Sequence, residues 1–273
     1  MSTKLDVTFN GESLSEKFGI GLLSYKKQSS SSRKTKGIDI PGRDGMYKVD
    51  SAFSAIPIEL TVVVEAGTSK EVHKKIRTFL SWLSQQNEPK VVFTDDPDVF
   101  VKADLDTASD YYVTRGIDNA MTSLTINLYQ YDPFTYDNGA ITYSFEATPN
   151  KVYDILNEGI YTPYTIYISG TESALTEYMS TSIGHSSLDS TPVASNIVID
   201  VNGIKQTFEG TIGIEDVLEI DGKDLKVLKN GKSVITDWQG DIEDLSNGNN
   251  TFSLSNVEGI SLYVTIEFYR RWL

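Results

Sequence analysis

Ile56-Pro57-Ile58-Glu59-Leu60-Thr61-Val62-Val63-Val64 decides the fold class. Ile56, Ile58, Leu60, Val62 and Val64 take every second position, and a period of two places all five on one face of a β-strand. Pro57 has no N–H to give a neighbouring strand, so it predicts an edge position or the first residue of the pairing.

Working outward, residues 68–86 change period. Thr68 with Glu71 three positions later forms a capping box, and Val72, Ile76, Phe79, Leu80 and Leu83 then share one helical stripe. Lys70, Lys74 and Lys75 lie opposite, and Trp82 sits beside the stripe at the core's edge. This is read as the one helix of an otherwise β chain, lying against a sheet. Further strands are expected at residues 91–93, 99–105, 111–117 and 124–131. Asp95, Asp96 and Asp98 lack the loop spacing and terminal bidentate Glu of a calcium site and read as a solvated acidic turn.

Upstream, residues 14–25 read as short strands broken by Gly19 and Gly21. Residues 28–37 are polar, basic and aperiodic, which predicts a flexible arm. The following Gly37-Ile38-Asp39-Ile40-Pro41-Gly42-Arg43-Asp44-Gly45-Met46-Tyr47 is a tight reversal. Pro41 fixes its φ, and Gly42 and Gly45 can take positive φ, so the directions of Arg43 and Asp44 are restricted. The stretch is either a solvated hairpin or a contact surface.

Residues 132–139 interrupt the pattern, and the charge changes there. Residues 1–137 carry 16 Lys+Arg against 19 Asp+Glu, and residues 138–273 carry 8 against 19, so most of the formal −14 lies in the second part. We expect an N-terminal domain at 1–137 and a C-terminal domain at 138–273, whose last strand (260–273) packs back near the first. Asn202-Gly203, Asp221-Gly222 and Asn230-Gly231 punctuate short apolar runs as hairpin turns. With no helical stripe longer than two turns between them, the second domain reads as an antiparallel sandwich.

The chain has no cysteine, which excludes disulfides, zinc ribbons and cysteine nucleophiles. The acidic balance disfavours adhesion to a phosphate backbone. No apolar run of 18 residues is present and residues 1–6 have no secretory core, so synthesis in a cytoplasm is expected. His73 and His185 stand apart from any metal-ligand spacing, and no nucleophile elbow or phosphate-binding loop occurs. Glu215-Asp216 and Glu243-Asp244 point to opposite faces of a strand and make no dyad. The chain reads as a non-enzyme with no cofactor and no metal.

These details resemble the siphophage distal tail protein family. The resemblance is carried by Pro41-Gly42-Arg43-Asp44-Gly45, Trp82, the turn at 95–100 and the exit at 129–134. In the second half it is carried by Asn157, Gly159, Pro163, Ile166, Ile168 and Gly170, by Leu245, Gly248 and Asn250, and by Tyr269-Arg270-Arg271-Trp272-Leu273. It implies a mainly β chain: an N-terminal β-sandwich or barrel-like domain with one helix, and a C-terminal galectin-like or carbohydrate-module-like antiparallel sandwich. It also implies a hexameric ring at the virion's tail tip, between the major tail tube protein and a tail-associated lysin or fibre protein. Receptor-binding proteins would dock outside and DNA would pass through the lumen without sequence-specific binding. No membrane insertion is implied.

On this reading Arg33, Lys34, Lys36, Pro41, Gly42, Arg43, Asp44 and Gly45 are expected to touch a neighbouring subunit or the tube. The alternative is a carbohydrate-binding protein recognising host cell-surface glycans. Tyr161, Tyr164, Tyr167, Tyr178 and Trp238 would then stack on sugars or dock a partner.

Overall fold

A computed structural model of the chain describes residues 5–42, 44–181, 192–255 and 262–273. The fold is mainly β, with three α-helices among the described residues, and divides into a unit at Met1–Asn138 and a unit at Gly139–Trp272.

The first unit runs β1 (Val7–Phe9), β2 (Glu12–Ser13), α1 (Leu14–Phe18), β3 (Ile20–Lys27), β4 (Arg33–Asp39), β5 (Met46–Phe53), β6 (Ile56–Ala66) and α2 (Ser69–Leu83). It continues with β7 (Lys90–Phe93), β8 (Asp96–Lys102), β9 (Asp104–Ala108), β10 (Thr114–Arg115), β11 (Ala120–Gln130) and β12 (Thr135–Asp137). One sheet places β2, β1, β7, β8 and β12 side by side, and a second has the order β10-β11-β6-β3, with β9 also on β11. The alternating residues of β6 are all buried, and β6 pairs with β11 from Ile56↔Gln130 to Ala66↔Ala120. It is an interior strand, not an edge. Pro57 is tolerated because the ladder to β3 starts one residue later, at Ile58↔Lys27.

Helix α2 starts where its cap predicts, with the Glu71 N–H donating to Thr68 Oγ1 at 3.3 Å. It lies against β6 and β11 and buries Val72, Ile76, Phe79 and Leu83. Trp82 covers the core's edge: its ring is 6.2 Å from Phe9 and 5.1 Å from Phe18, with Lys17 Nζ 4.4 Å above it.

Three sequence expectations are corrected. Residues 14–18 are a helix, because Ser13 caps it by accepting the Glu16 N–H at 3.1 Å and Gly19 ends it at φ 61°. The second half of the expected flexible arm is strand: from Arg33 onwards β4 pairs along its length with β5. The run expected as a strand at 111–117 contributes only Thr114–Arg115.

The second unit holds β13 (Ile141–Ala147), β14 (Val152–Asn157), β15 (Tyr164–Ser169), α3 (Glu172–Thr181), β16 (Pro192–Val201), β17 (Ile204–Gly213) and β18 (Val217–Asp221). After these come β19 (Lys226–Lys229), β20 (Lys232–Ser233), β21 (Trp238–Gln239), β22 (Gly248–Ser255) and β23 (Leu262–Phe268). Two antiparallel sheets, β13-β23-β15-β18-β19-β20 and β14-β22-β16-β17-β21, enclose one core. The Asn-Gly pairs at 202–203 and 230–231 adopt the positive φ that tight hairpin turns demand. Helix α3 corrects the reading of a helix-free domain. It buries only Ala174, Leu175 and Tyr178, against Tyr167, Val217 and Tyr263, too narrow a stripe to stand out in sequence.

Two buried carboxylates tie these units internally. Asp6 accepts hydrogen bonds from the Ser13 and Ser15 hydroxyls and from the Val7 and Ser15 N–H groups. Asp216 accepts from the Gly213 N–H and the Asn230 amide and faces Lys229 Nζ at 2.8 Å. Burial, the largest influence, pushes both carboxyls up, but the combined donors hold both below the ordinary carboxylate value of 3.8. A lowered native value means the unfolded chain binds these protons first. Their stabilisation is therefore complete above about pH 4 and is lost as pH falls through the lowered values. Removing the Asp216 carboxylate in Asp216→Ala should cost about 3 kcal/mol at pH 7, because Lys229 and two donors lose their partner. The difference from the parent should shrink below pH 4 in denaturant titrations, and an unchanged difference there would overturn the assignment.

Candidate assembly surface

The stretch that suggested a contact surface is the tip of a free-standing hairpin. Strands β4 and β5 form a two-stranded sheet that pairs with no third strand among the described residues. Its root is fixed by the Ser54 N–H donating to Ser32 O at 2.8 Å, by the Arg33 guanidinium 4.9 Å above the Phe53 ring, and by Phe53 packing at 6.1 Å against Phe134. At the tip Gly42 and Gly45 take φ of 83° and 80°, with open space where a Cβ would stand. Only the backbone angle requires glycine there.

Beyond the root the hairpin buries almost nothing of its own. Ile38 lies directly across from Tyr47, and Ile38, Ile40, Met46, Tyr47 and Val49 are all exposed, Met46 at 64% and Tyr47 at 57%. Isolated two-stranded ribbons are marginal in water, and exposed apolar side chains on one require a cover. Lys34 and Lys36 project from β4 and Asp44 from the tip, all exposed, whereas Arg43 lies outside the described residues. The basic residues singled out in sequence therefore share a ribbon with an apolar set that the sequence reading passed over. That set was visible as Ile38, Ile40, Tyr47 and Val49 around the turn.

In the second unit the structure separates the aromatics proposed for sugar stacking. Tyr164 and Tyr178 are buried at 2% and 4% exposure, so neither presents a ring face to solvent. Tyr178 donates its hydroxyl to Glu219 Oε2 at 2.7 Å, and burial, reinforced by that carboxylate, holds its phenol far above the usual range. Trp238 packs on the core beside Phe208, and Tyr167 is half buried under Tyr178, which leaves Tyr161 as the exposed ring of the set. Across β14, β22, β16 and β17 the outward positions mix Val152, Leu156 and Val198 with Asp154, Thr251, Ser253, Asp200, Lys205 and Thr207, with no aromatic platform. Of the paired carboxylates, Asp244 is held by Arg271 Nη2 at 2.6 Å. His73 is exposed with Nδ1 2.9 Å from the Tyr111 hydroxyl, and His185 lies outside the described residues.

Of the second-half marks of the resemblance, Asn157, Gly159, Leu245, Gly248 and Asn250 meet in one buried knot. Asn157 donates its amide to the carbonyls of Ile160, Leu245 and Ser246 and accepts the Gly159 N–H. Asn250 donates to the carbonyls of Ile155, Ser246 and Gly248 and accepts from the Ser246 N–H, the Ser246 hydroxyl and the Asn202 amide. Thr162 and Leu245 form a two-residue bridge beside them.

Residues 9–129 match the sequence model of the family described as phage tail protein RIFT-related domain. That match lies within the N-terminal unit. No curated protein matches the chain in sequence. Among solved structures the Dit (gp 19.1) protein of phage SPP1, described as a paradigm of hub adsorption apparatus in phages infecting Gram-positive bacteria, superposes with a TM-score of 0.74. It is 15% identical and covers 99% of this chain and 100% of its own. A chain of the phage P2 baseplate in its activated conformation with calcium aligns at a TM-score of 0.53, 9% identity, and 99% and 98% coverage. The strontium form of that baseplate gives 0.53, 8%, and 98% and 97%. The fold is thus that of the Dit protein over nearly the whole chain. The family and these neighbours are structural tail and hub proteins, not enzymes. Among the described residues no helix is long and apolar enough to cross a membrane.

Proposed function

We propose that this chain is the hub of a siphophage tail tip, closing into a hexameric ring through its N-terminal unit. The tail tube protein meets one face of the ring and a tail-associated fibre or lysin protein the other, and DNA passes through the lumen. The observation that carries the reading is the free-standing hairpin with its exposed Ile38, Met46 and Tyr47. A ring needs a heterologous contact, in which one surface of each copy meets a different surface of the next. A stiff apolar ribbon flanked by Arg33, Lys34, Lys36 and Asp44 suits such a contact with a neighbouring subunit or the tube, its charges setting register.

The C-terminal sandwich serves as an outward platform for receptor-binding proteins. Its buried Tyr164 and Tyr178 and an outer sheet without an aromatic platform favour protein docking over the glycan-binding alternative. The test is the mass of the full-length protein over a concentration series, with negative-stain images of the large species. Six-fold rings are expected. A protein that stays monomeric up to about 100 μM, well above the Kd range of a stable interface, and also in the presence of tail tube protein, would overturn the reading.

A further inference from the structure

Helix α2 turns its apolar stripe inward, and its outer face is a column of cations. Lys70, Lys74 and Arg77 stand at i, i+4 and i+7, all exposed, and none makes a salt bridge or hydrogen bond among the described residues. Like charges at this spacing repel, so the column weakens the isolated helix. It is also out of keeping with a chain of formal charge −14.

A second observation falls on the same surface. His73, on this face, bonds Tyr111, and that residue opens a loop whose Tyr112 is 89% exposed and whose Ile117 is 100% exposed. An uncovered apolar pair beside an unpaired cationic column has the make-up of a protein interface: an apolar centre and a charged rim.

The chain itself supplies a surface of opposite sign. On the outer face of the β23-β15-β18 sheet, Glu267, Thr165 and Asp221 lie in one row, and Tyr167 and Glu219 lie in the next. The three carboxylates converge on the Tyr167 phenol, which burial first and then these charges push up to about 12. Lys226 stands opposite Asp221 at the end of the first row and is bonded to Asp224, so Glu267, Asp221 and Glu219 keep this face acidic against one lysine in the row.

We infer that the outer face of α2, with Tyr112 and Ile117, docks the acidic face around Glu267 on a second copy of the chain. The inference rests on the self-assembly proposed above but uses surfaces other than the hairpin. A contact steered by opposite charges weakens as salt shortens the Debye length, and recovery on reversing both faces separates it from the hairpin contact, whose flanking charges lie elsewhere.

The experiment follows self-association of the full-length protein by sedimentation velocity at 50 and 500 mM NaCl. Alongside the parent, three proteins are compared: K70E/K74E/R77E, T165K/E267K, and the protein carrying all five substitutions. Glu219 and Asp221 are left in place because Glu219 holds Tyr178 and Asp221 caps a turn by accepting the Lys223 and Asp224 N–H groups. The expected result is that the concentration for half-assembly rises at least tenfold in high salt and in each one-sided reversal, and returns towards the parent's when both faces are reversed. The α2 substitutions are on the surface, so that protein should melt like the parent, and its arm decides the matter if the sheet-face variant folds poorly. Parental assembly by the α2 variant, no salt dependence, or no recovery on double reversal of folded proteins would overturn the inference. The hairpin reading is separable: an I38D/Y47D protein that keeps salt-sensitive association would count against the hairpin contact alone.

Discussion

Ile38→Asp with Tyr47→Asp should leave a folded protein that no longer closes into rings. The two residues face one another across β4 and β5, and both are exposed, so the chain loses almost no packing of its own. Surface changes of this kind shift stability by about 0.5 kcal/mol or less. In the ring proposed above the same positions would be buried at each subunit contact, where each copy would bring two carboxylates with no partner. A desolvated, unpaired charge costs about 3 kcal/mol or more, so even one of them should weaken assembly by about 100-fold or more. Mass photometry at the concentration where the parent forms rings, paired with a thermal melt, reads both quantities. Rings formed at the parent's concentration by the doubly substituted protein would remove the hairpin from the interface.

The value of this prediction depends on a feature that was only half legible in sequence. The turn was plain, because Pro41, Gly42 and Gly45 limit the backbone whatever surrounds them. The strands flanking it were not. Arg33-Lys34-Thr35-Lys36 has no apolar alternation, since a ribbon without a covering layer has no buried side to impose one. Strand β6 is the opposite case: with its alternate residues fully buried, the period of two is written without interruption. Helix α2 was legible for the same reason, whereas α3 rests on three buried residues and left no stripe. Helix α1 did leave a signal, the Ser13…Glu16 cap, but five residues are too few to show a period.

The resemblance in the second half has a physical basis that composition and periodicity did not expose. Gly170 is required because a Cβ there would stand 2.7 Å from the Ile214 Cα, and Gly159 because one would stand 2.9 Å from the Arg271 backbone. Both are close approaches of two backbones, invisible without the fold. Asn157 and Asn250 are likewise marks of a junction: each satisfies loop groups that no strand ladder reaches.

Asn250→Asp should be the most damaging near-isosteric change in the C-terminal unit. Asn250 is fully buried, and its amide nitrogen donates to three carbonyls while its oxygen accepts three hydrogen bonds. An ionised aspartate keeps the acceptor side but turns a second anionic oxygen towards the carbonyls of Ile155, Ser246 and Gly248, losing every donor and adding repulsion. Burial and those carbonyls both disfavour the charged form, so the substituted carboxyl would have a raised value in the native state. In such a case the native state binds the proton more tightly than the unfolded chain, and stability falls as pH rises from the unfolded value near 4 through the native one. The loss relative to the parent should reach about 4 kcal/mol at pH 7 and decrease steadily towards pH 4, where a protonated acid can donate one of the missing bonds. This is the reverse of the trend expected for Asp6 and Asp216, so the parent must be titrated in parallel and the difference taken at each pH. Urea midpoints at pH 7, 5.5 and 4 would test it. A difference that stays constant over that range would mean that the asparagine's surroundings admit water and that the knot does not hold the β14–β22 junction closed.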